Sequence, residues 1–199
     1  MITTVRKLND NDDLSQISKL IYETDNYIFP YLFKDSRSVA KEILPHMILS
    51  DTIYNKDNIF VASRDNNIVG IVVINKSPIK INLADFIGAF EKANVIIDEN
   101  FEKVLKEYYL PLETEPDGYH ISNMCVDEMY RGQGIGRALL ENIKPYLDPT
   151  KDIYIECLAD NETALAVYES EGFEILFEYT GFTGLKYYKM VRRALDIWF

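Results

Sequence analysis

Arg131-Gly132-Gln133-Gly134-Ile135-Gly136-Arg137 lies between a strand-like and a helix-like pattern of this sequence. The apolar run Ile121 to Val126 precedes it, and the helical pattern Ala138 to Ile143 follows. Glycines at alternate positions let backbone N–H groups converge, and the first turn of a helix adds unpaired amides and the positive end of its dipole. With an arginine at each end, the stretch predicts a cradle for a pyrophosphate group.

Spacing separates the kinds of phosphate-binding loop. A Walker A loop needs Gly-Lys followed by Ser or Thr, whereas Gly136 is followed by Arg137 and Ala138. A dinucleotide fingerprint needs a third glycine where Arg137 stands, although Glu156 does follow at about the distance which that motif requires. Too little chain follows Glu156 for a dinucleotide-binding domain. A glycine-rich turn that merely joins a strand to a helix stays open as the simpler alternative.

A third kind of loop is the Gln/Arg-x-x-Gly-x-Gly/Ala pattern of the GNAT superfamily of acyl-CoA-dependent N-acyltransferases, which this stretch resembles. Arg131, Gly134 and Gly136 stand at its fixed positions. A second segment similar to that family follows, from Asn161 to Tyr168 and then Glu171-Gly172-Phe173. Two similar segments in the right order are more specific than either alone. The resemblance implies an N-acetyltransferase that carries an acetyl group from acetyl-CoA to a primary amine.

The fold implied by the resemblance is α+β. We expect a mostly antiparallel, twisted sheet of six to seven strands with about four flanking helices, in a single domain over residues 1–199. The two central strands, here Tyr119 to Val126 and Asp152 to Leu158, should run parallel and then splay apart. Residues 76–118 depart from the family pattern, and their apolar periodicity predicts a helical insertion. That insertion either walls an acceptor pocket or adds a solvated helix face.

Composition favours a cytoplasmic enzyme. The chain has 199 residues and a net charge of −11, and its N-terminus lacks an apolar signal region. No apolar run approaches the roughly 18 residues that a membrane span needs. The acidic charge disfavours nucleic acid and favours a cationic ligand, although solubility alone also explains it. Cys125 and Cys157 lie in apolar runs and are expected to be reduced and buried, and no metal is expected.

The resemblance places the acetyl-CoA contacts in three segments. The pantetheine arm should enter the gap between the parted strands like an added strand, along Met124, Cys125 and Val126. The pyrophosphate should rest on the cradle formed by Arg131, Gly132, Gln133, Gly134, Ile135, Gly136 and Arg137. Asn161, Ala164 and Tyr168 are three and four residues apart, so they share one helix face, which should contact the cofactor.

Tyr168 and His120 are the candidate catalytic residues. The resemblance places Tyr168 near the thioester sulfur, where a phenol can protonate the departing thiolate; a tyrosine that only bridges helix and sheet is the alternative. His120 is the first candidate for the base that takes a proton from the amine, because several family members place Glu or His at this position. A shift of strand register by one residue would turn His120 to the other face, and Glu156 is the reserve base.

The acceptor amine stays open at this point. An aromatic loop, Tyr22 to Phe33, lies where the resemblance expects the acceptor, and Tyr27, Tyr31 and Glu156 are the candidate substrate contacts. Polyamine, amino acid, aminoglycoside and protein N-terminus all fit an acidic, aromatic pocket. The apolar end Leu195–Phe199 leaves a homodimer open. The alternative function is a non-catalytic acyl-CoA-binding sensor or interaction module.

Overall fold

The computed structural model describes residues 2–25, 27–33, 36–97 and 99–194. The terminal segment 195–199, which left a homodimer open, lies outside those residues. None of the helices in these ranges has the length and apolar character needed to cross a bilayer.

Seven strands and seven α-helices lie in these ranges. The strands are β1 Thr4–Lys7, β2 Ile59–Arg64, β3 Asn67–Ser77, β4 Gly118–Val126, β5 Asp152–Leu158, β6 Glu174–Thr180 and β7 Lys186–Arg192. The α-helices are α1 Leu14–Tyr22, α2 Phe29–Leu32, α3 Arg37–Ile48, α4 Leu83–Lys92, α5 Glu99–Val104, α6 Ile135–Ile143 and α7 Glu162–Ser170. The predicted helical insertion contributes α4 and α5, and the short α2 inside the aromatic loop is one helix more than the four expected around the sheet.

The seven strands form one sheet in the order β1-β2-β3-β4-β5-β7-β6. Only β4 and β5 pair in parallel; the other neighbours are antiparallel. The β2–β3 hairpin closes through Asp65 and Asn66, whose φ angles of 49° and 65° are those that a two-residue type I′ turn requires. This arrangement confirms the mixed, mostly antiparallel sheet.

The parallel pair β4–β5 opens part of the way along its length. Pairing runs only from Gly118 to Ile121 of β4, although β4 continues to Val126. At the same point the register between β3 and β4 shifts, from Val73 opposite Asn123 to Ile74 opposite Ile121, which leaves Ser122 as an extra residue. A bulge of this kind bends a strand and increases its twist. The bend takes β4 away from β5 and confirms the predicted splay.

Side chains alternate between two apolar layers, one on each face of the sheet. Ile71 and Val73 of β3 join the layer that contains α1, α3 and α4, whereas Val72 joins the layer beneath α6. The insertion belongs to the first layer: Phe86, Phe90, Phe101 and Tyr109 are buried there. Because β3 extends to Ser77, the insertion begins just after that residue and not at residue 76, where it was predicted to begin. Its helices are therefore part of the core.

Gly118→Ala should destabilise the protein where the parallel pair begins. A Cβ at this position would lie 2.5 Å from the carbonyl oxygen of Asp152, so backbone must move, at a cost of about 1–3 kcal/mol. Gly88→Ala is the matched control, because nothing lies within 4 Å of its Cβ position in α4 and alanine favours helix by up to about 1 kcal/mol. Urea denaturation measures both; equal free energies of unfolding for the two variants would contradict the packing argument.

Candidate functional site

Two cavities meet beside the opening between β4 and β5. The inner cleft, of about 130 Å³, runs between the parted strands; the outer cavity, of about 710 Å³, lies between the insertion and strands β5 to β7. Tyr108, Glu156 and Tyr187 line both. These three residues therefore mark the junction at which molecules held in the two cavities would meet.

The inner cleft brings together residues that the sequence predicted as one site. Asn161, Ala164 and Tyr168 of α7 line it opposite Met124 of β4. Asn161 begins α7 by accepting a hydrogen bond from the Ala164 amide at 3.1 Å, which leaves its side-chain NH₂ group as a donor. Tyr168 is 6% exposed, and its burial raises the pKa of the phenol well above the ordinary value. It is thus held protonated at neutral pH.

Backbone groups of β4 face the cleft where β5 has parted. The Asp127 amide donates to the Val69 carbonyl of β3 at 2.9 Å, and strand amides alternate in direction, so those of Met124 and Val126 point away from β3. The Val126 carbonyl accepts a hydrogen bond from Arg131 Nε at 3.0 Å. Cys125 is buried in the core layer on the other face, so that only its backbone can take part.

The predicted cradle has the backbone shape that a bound anion needs. Gly132 and Gly134 have φ angles of 72° and 75°, and open space surrounds both Cβ positions. Gly134 is the N-cap of α6, so the following three amides have no partner within the helix. Ile135 is 2% exposed and anchors the turn in the core. The loop thus presents amides on a fixed support.

Arginine side chains surround this turn. Arg64 of β2 donates a hydrogen bond to the Gln133 side chain. The two residues are far apart in the sequence, so sequence reasoning missed this contact. Arg137 donates to Ser170 Oγ at 2.9 Å and lies 3.2 Å from Glu171, so α7 holds it in place. Arg131 is exposed beside them. Together they supply positive charge around the amides of α6.

A chain of charged side chains leads from the junction into the core. Lys189 of β7 lies 3.2 Å from Glu156 and donates to Glu115 of the insertion. His120 Nδ1 lies 3.0 Å and 3.1 Å from the two Glu115 oxygens, and Ser77 donates to Glu115 at 2.6 Å. Burial alone would raise the pKa of Glu115, but His120 and Lys189 outweigh it and lower that pKa to about 2. Glu115 therefore stays ionised.

His120 lies away from the junction. It is 4% exposed, and it does not appear among the described residues that line either cavity. It lies in the stretch of β4 that still pairs with β5, opposite Tyr154, and its ring contacts Glu115 of the insertion. Glu156, the reserve base, instead stands where the cavities meet. The structure therefore brings Glu156, and not His120, together with Tyr168 around the cleft.

The aromatic loop contributes less to the cavities than predicted. Tyr22, Phe29 and Phe33 pack with one another in the core. Tyr27 and Tyr31 are 43% and 41% exposed, and they too are missing from the lining of the outer cavity in the described ranges. The aromatic wall comes instead from the insertion, β5, β6 and β7, through Tyr108, Tyr154, Phe177, Tyr179, Phe182 and Tyr187.

Asp25 is a further carboxylate that sequence reasoning missed. It lines the inner cleft, and burial raises the pKa of its carboxyl. Its Oδ1 accepts hydrogen bonds from the amides of Tyr27 and Ile28, both at 2.8 Å. The only sequence signal is an aspartate at the start of the short helix α2. With that oxygen already engaged, Asp25 supports the loop at the mouth of the cleft.

Comparison with known proteins points to one family. A family model described as the acetyltransferase (GNAT) family matches residues 21–173. The N-alpha-acetyltransferase RimI of Mycobacterium tuberculosis is 41% identical over 63 residues, which cover 31% of this chain and 38% of that protein. The chain thus spans less than two fifths of that relative's length.

Solved structures share the fold. An N-acetyltransferase from Staphylococcus aureus Mu50 superposes with a TM-score of 0.69 at 21% identity, covering 94% of this chain and 99% of that one. A chain of the NatC complex bound to Gag peptide and CoA superposes with a TM-score of 0.56 at 17% identity, covering 97% and 99%. At these identities the likeness concerns the fold alone.

Glu115→Gln should make stability less dependent on pH in acid. Because the pKa of Glu115 is about 2 when folded and about 4.3 when unfolded, its carboxylate stabilises the protein at neutral pH, and this stabilisation is lost as the pH falls from about 5 towards 2. The free energy of unfolding of the wild type should exceed that of the variant most at pH 7, and this difference should shrink in acid. Urea denaturation across this range measures it, with exposed Glu91→Gln as control. A gap that stays constant with pH would contradict the assignment.

Proposed function

The chain belongs to the acetyltransferase (GNAT) family, and from that premise we propose that it transfers an acetyl group from acetyl-CoA to a primary amine. The observation that carries the proposal is the junction of the two cavities. The inner cleft contains Tyr168, the outer cavity is large enough for an acceptor, and Glu156 lines both. A donor in the cleft and an acceptor in the cavity would meet at a carboxylate.

The described residues fit acetyl-CoA, the cofactor of this family. The glycine turn and the N-terminal amides of α6 suit its pyrophosphate, since the space around Gly132 and Gly134 is open. The free edge of β4 beyond Ile121 suits the amide groups of the pantetheine arm, and Asn161 offers a further donor. When bound, acetyl-CoA supplies an activated acetyl thioester.

Glu156 is the proposed base. An alkyl ammonium with a pKa of about 10.4 must lose a proton before attack, which costs about 4–5 kcal/mol at pH 7. Glu156 is the carboxylate among the residues common to both cavities, and it can take that proton directly or through water. Lys189, 3.2 Å away, holds one end of the carboxylate. Through Glu115, His120 then has a positioning role.

Tyr168 is the proposed acid. Its phenol, like an ordinary tyrosine, is protonated at neutral pH, and it lies on the helix face that lines the cleft. With acetyl-CoA bound, Tyr168 would donate a proton to sulfur as the carbon–sulfur bond breaks. Glu156, after passing the ammonium proton to solvent, would take the second proton that nitrogen loses as the carbon–nitrogen bond forms. Reprotonation of Tyr168 would complete the cycle, so the products are the amide, the free thiol and one proton. The two protons thus move on opposite sides of the transferred acetyl group, and no acyl-enzyme is needed.

Transfer is favoured over the alternative of an acyl-CoA-binding sensor. A sensor needs a cleft for the cofactor but has no use for a second cavity that opens onto its reactive end. RimI of Mycobacterium tuberculosis is named an N-alpha-acetyltransferase, which favours an amine as acceptor. The cavity of about 710 Å³ with Glu156 at its inner end is the feature that separates the two functions.

Tyr168→Phe should lower kcat about 100-fold or more, because the leaving thiolate loses its proton donor. Its Kd for acetyl-CoA should change little, since the phenol ring is retained. Thiol release with an amine panel and calorimetry with acetyl-CoA measure the two quantities. Tyr146→Phe, at a position 54% exposed, is the control. Normal turnover by Tyr168→Phe would remove the acid role, and wild-type binding without thiol release on any amine would favour the sensor.

Glu156→Gln and His120→Gln should differ in their effect on turnover. Loss of the base at the junction should lower kcat about 100-fold, whereas loss of the more distant imidazole should lower it about tenfold or less. Thiol release at saturating substrate, with thermal melting to confirm folding, makes the comparison. A loss in folded His120→Gln as large as that in Glu156→Gln would return the base role to the histidine.

A further inference from the structure

The cations that line the outer cavity are already paired within the protein. Lys189 and Arg193 are the basic residues in its described lining. Lys189 contacts Glu115 and Glu156. Arg193 lies 3.0 Å from Asp152 and 3.1 Å from a second carboxylate on β6. A carboxylate on an acceptor would have to displace one of these partners, so the cavity is not built to bind one.

The carboxylates in the described lining of the cavity are Glu107, Glu115 and Glu156, and they differ in how far they are already paired. Lys189 contacts both Glu115 and Glu156. Glu115 is enclosed by Lys189 and His120, whereas the Glu156 side chain is 24% exposed and lines both cavities. Glu107 is exposed to solvent. One ammonium can therefore be paired inside, at Glu156.

The rest of the wall is apolar or aromatic. Ile28, Leu112, Leu176 and Phe177 line the cavity together with the rings of the aromatic wall. Leu176 and Phe177 are 38% and 55% exposed on the edge strand β6, so these side chains would lose contact with water if the cavity were filled. Sites for small ligands are typically lined in this way, with a few polar groups that fix orientation.

Two buried hydroxyl groups in the wall lie near each other and have no partner beyond this pair in the described part of the chain. They belong to Tyr187, which is 7% exposed and lines both cavities, and to Thr183. Both oxygens are closed off from solvent, so a ligand in the cavity would contact the ring of Tyr187 rather than its hydroxyl group.

We propose that the acceptor is a primary monoamine with a bulky apolar or aromatic group and without a carboxylate near the amine. This inference rests on the proposed acetyl transfer and narrows its substrate. A polyamine or aminoglycoside would bring a second cation to a mostly apolar wall, where the remaining carboxylate, Glu107, is exposed and offers only a solvent-screened ion pair. A free amino acid would bring its carboxylate next to Lys189 and Arg193, which are already paired with carboxylates of the protein. A free arylalkylamine and a peptide N-terminus with a bulky apolar first residue both satisfy the requirements.

Matched pairs of amines test the inference on the full chain with acetyl-CoA. Hexylamine should exceed 1,6-diaminohexane in kcat/KM at least tenfold, because only the second cation differs. Phenylalaninamide should exceed phenylalanine at least tenfold, because only the carboxylate differs. Comparing 2-phenylethylamine with a phenylalanine-initiated tetrapeptide amide distinguishes the two sources. Equal or reversed values within either matched pair would overturn the proposed class.

A variant of the wall and a binding measurement make the test independent of turnover. Phe177→Asp adds a carboxylate at an exposed position and should narrow the preference for hexylamine over the diamine, whereas Phe177→Leu should keep it. If no amine releases thiol but hexylamine still raises the melting temperature of the CoA-bound protein more than the diamine does, acetyl transfer fails and the ligand class stands. Thiol release that is faster with the diamine would support acetyl transfer and overturn the proposed ligand class.

Discussion

The parting of β4 from β5 after Ile121 is the constraint on which the rest of the site depends. In a continuous ladder the amides beyond this point would be satisfied by the neighbouring strand, and the sheet could bind nothing there. The extra residue Ser122 bends β4, while β3 on its other side keeps it in the sheet. The opening thus exposes backbone groups of a rigid strand, with the glycine turn at its far end.

The insertion completes the site from the opposite side. Its helices are buried in the core, and their end carries Glu115 into contact with Lys189 and His120. A buried charged network is seldom more stabilising than an apolar one of the same volume. The network of Glu115, Lys189 and His120 lies at the wall of the outer cavity. This position fits a different role, which is to hold Glu156 in place and to leave few unpaired charges in the cavity.

Fold and family leave the acceptor undecided, because one fold supports many functions. The two structural neighbours named above are 21% and 17% identical, and RimI of Mycobacterium tuberculosis matches less than a third of this chain. The junction of the two cavities is therefore the feature that bears on the chemistry. Tyr168 is protonated and Glu156 lines both cavities, which suits a reaction that takes a proton from one partner and returns one to the other.

Local patterns of the sequence determined the glycine cradle, the hairpin, the buried cysteines, the helix face of Asn161, Ala164 and Tyr168, and the family. Each depends on residues close together in the chain, where spacing and backbone preference suffice. Tertiary structure alone decided the partner of His120, the support of Gln133 by Arg64, and the origin of the aromatic wall. These contacts join residues from separate elements, and their geometry depends on how the insertion packs against the sheet, which no local pattern encodes.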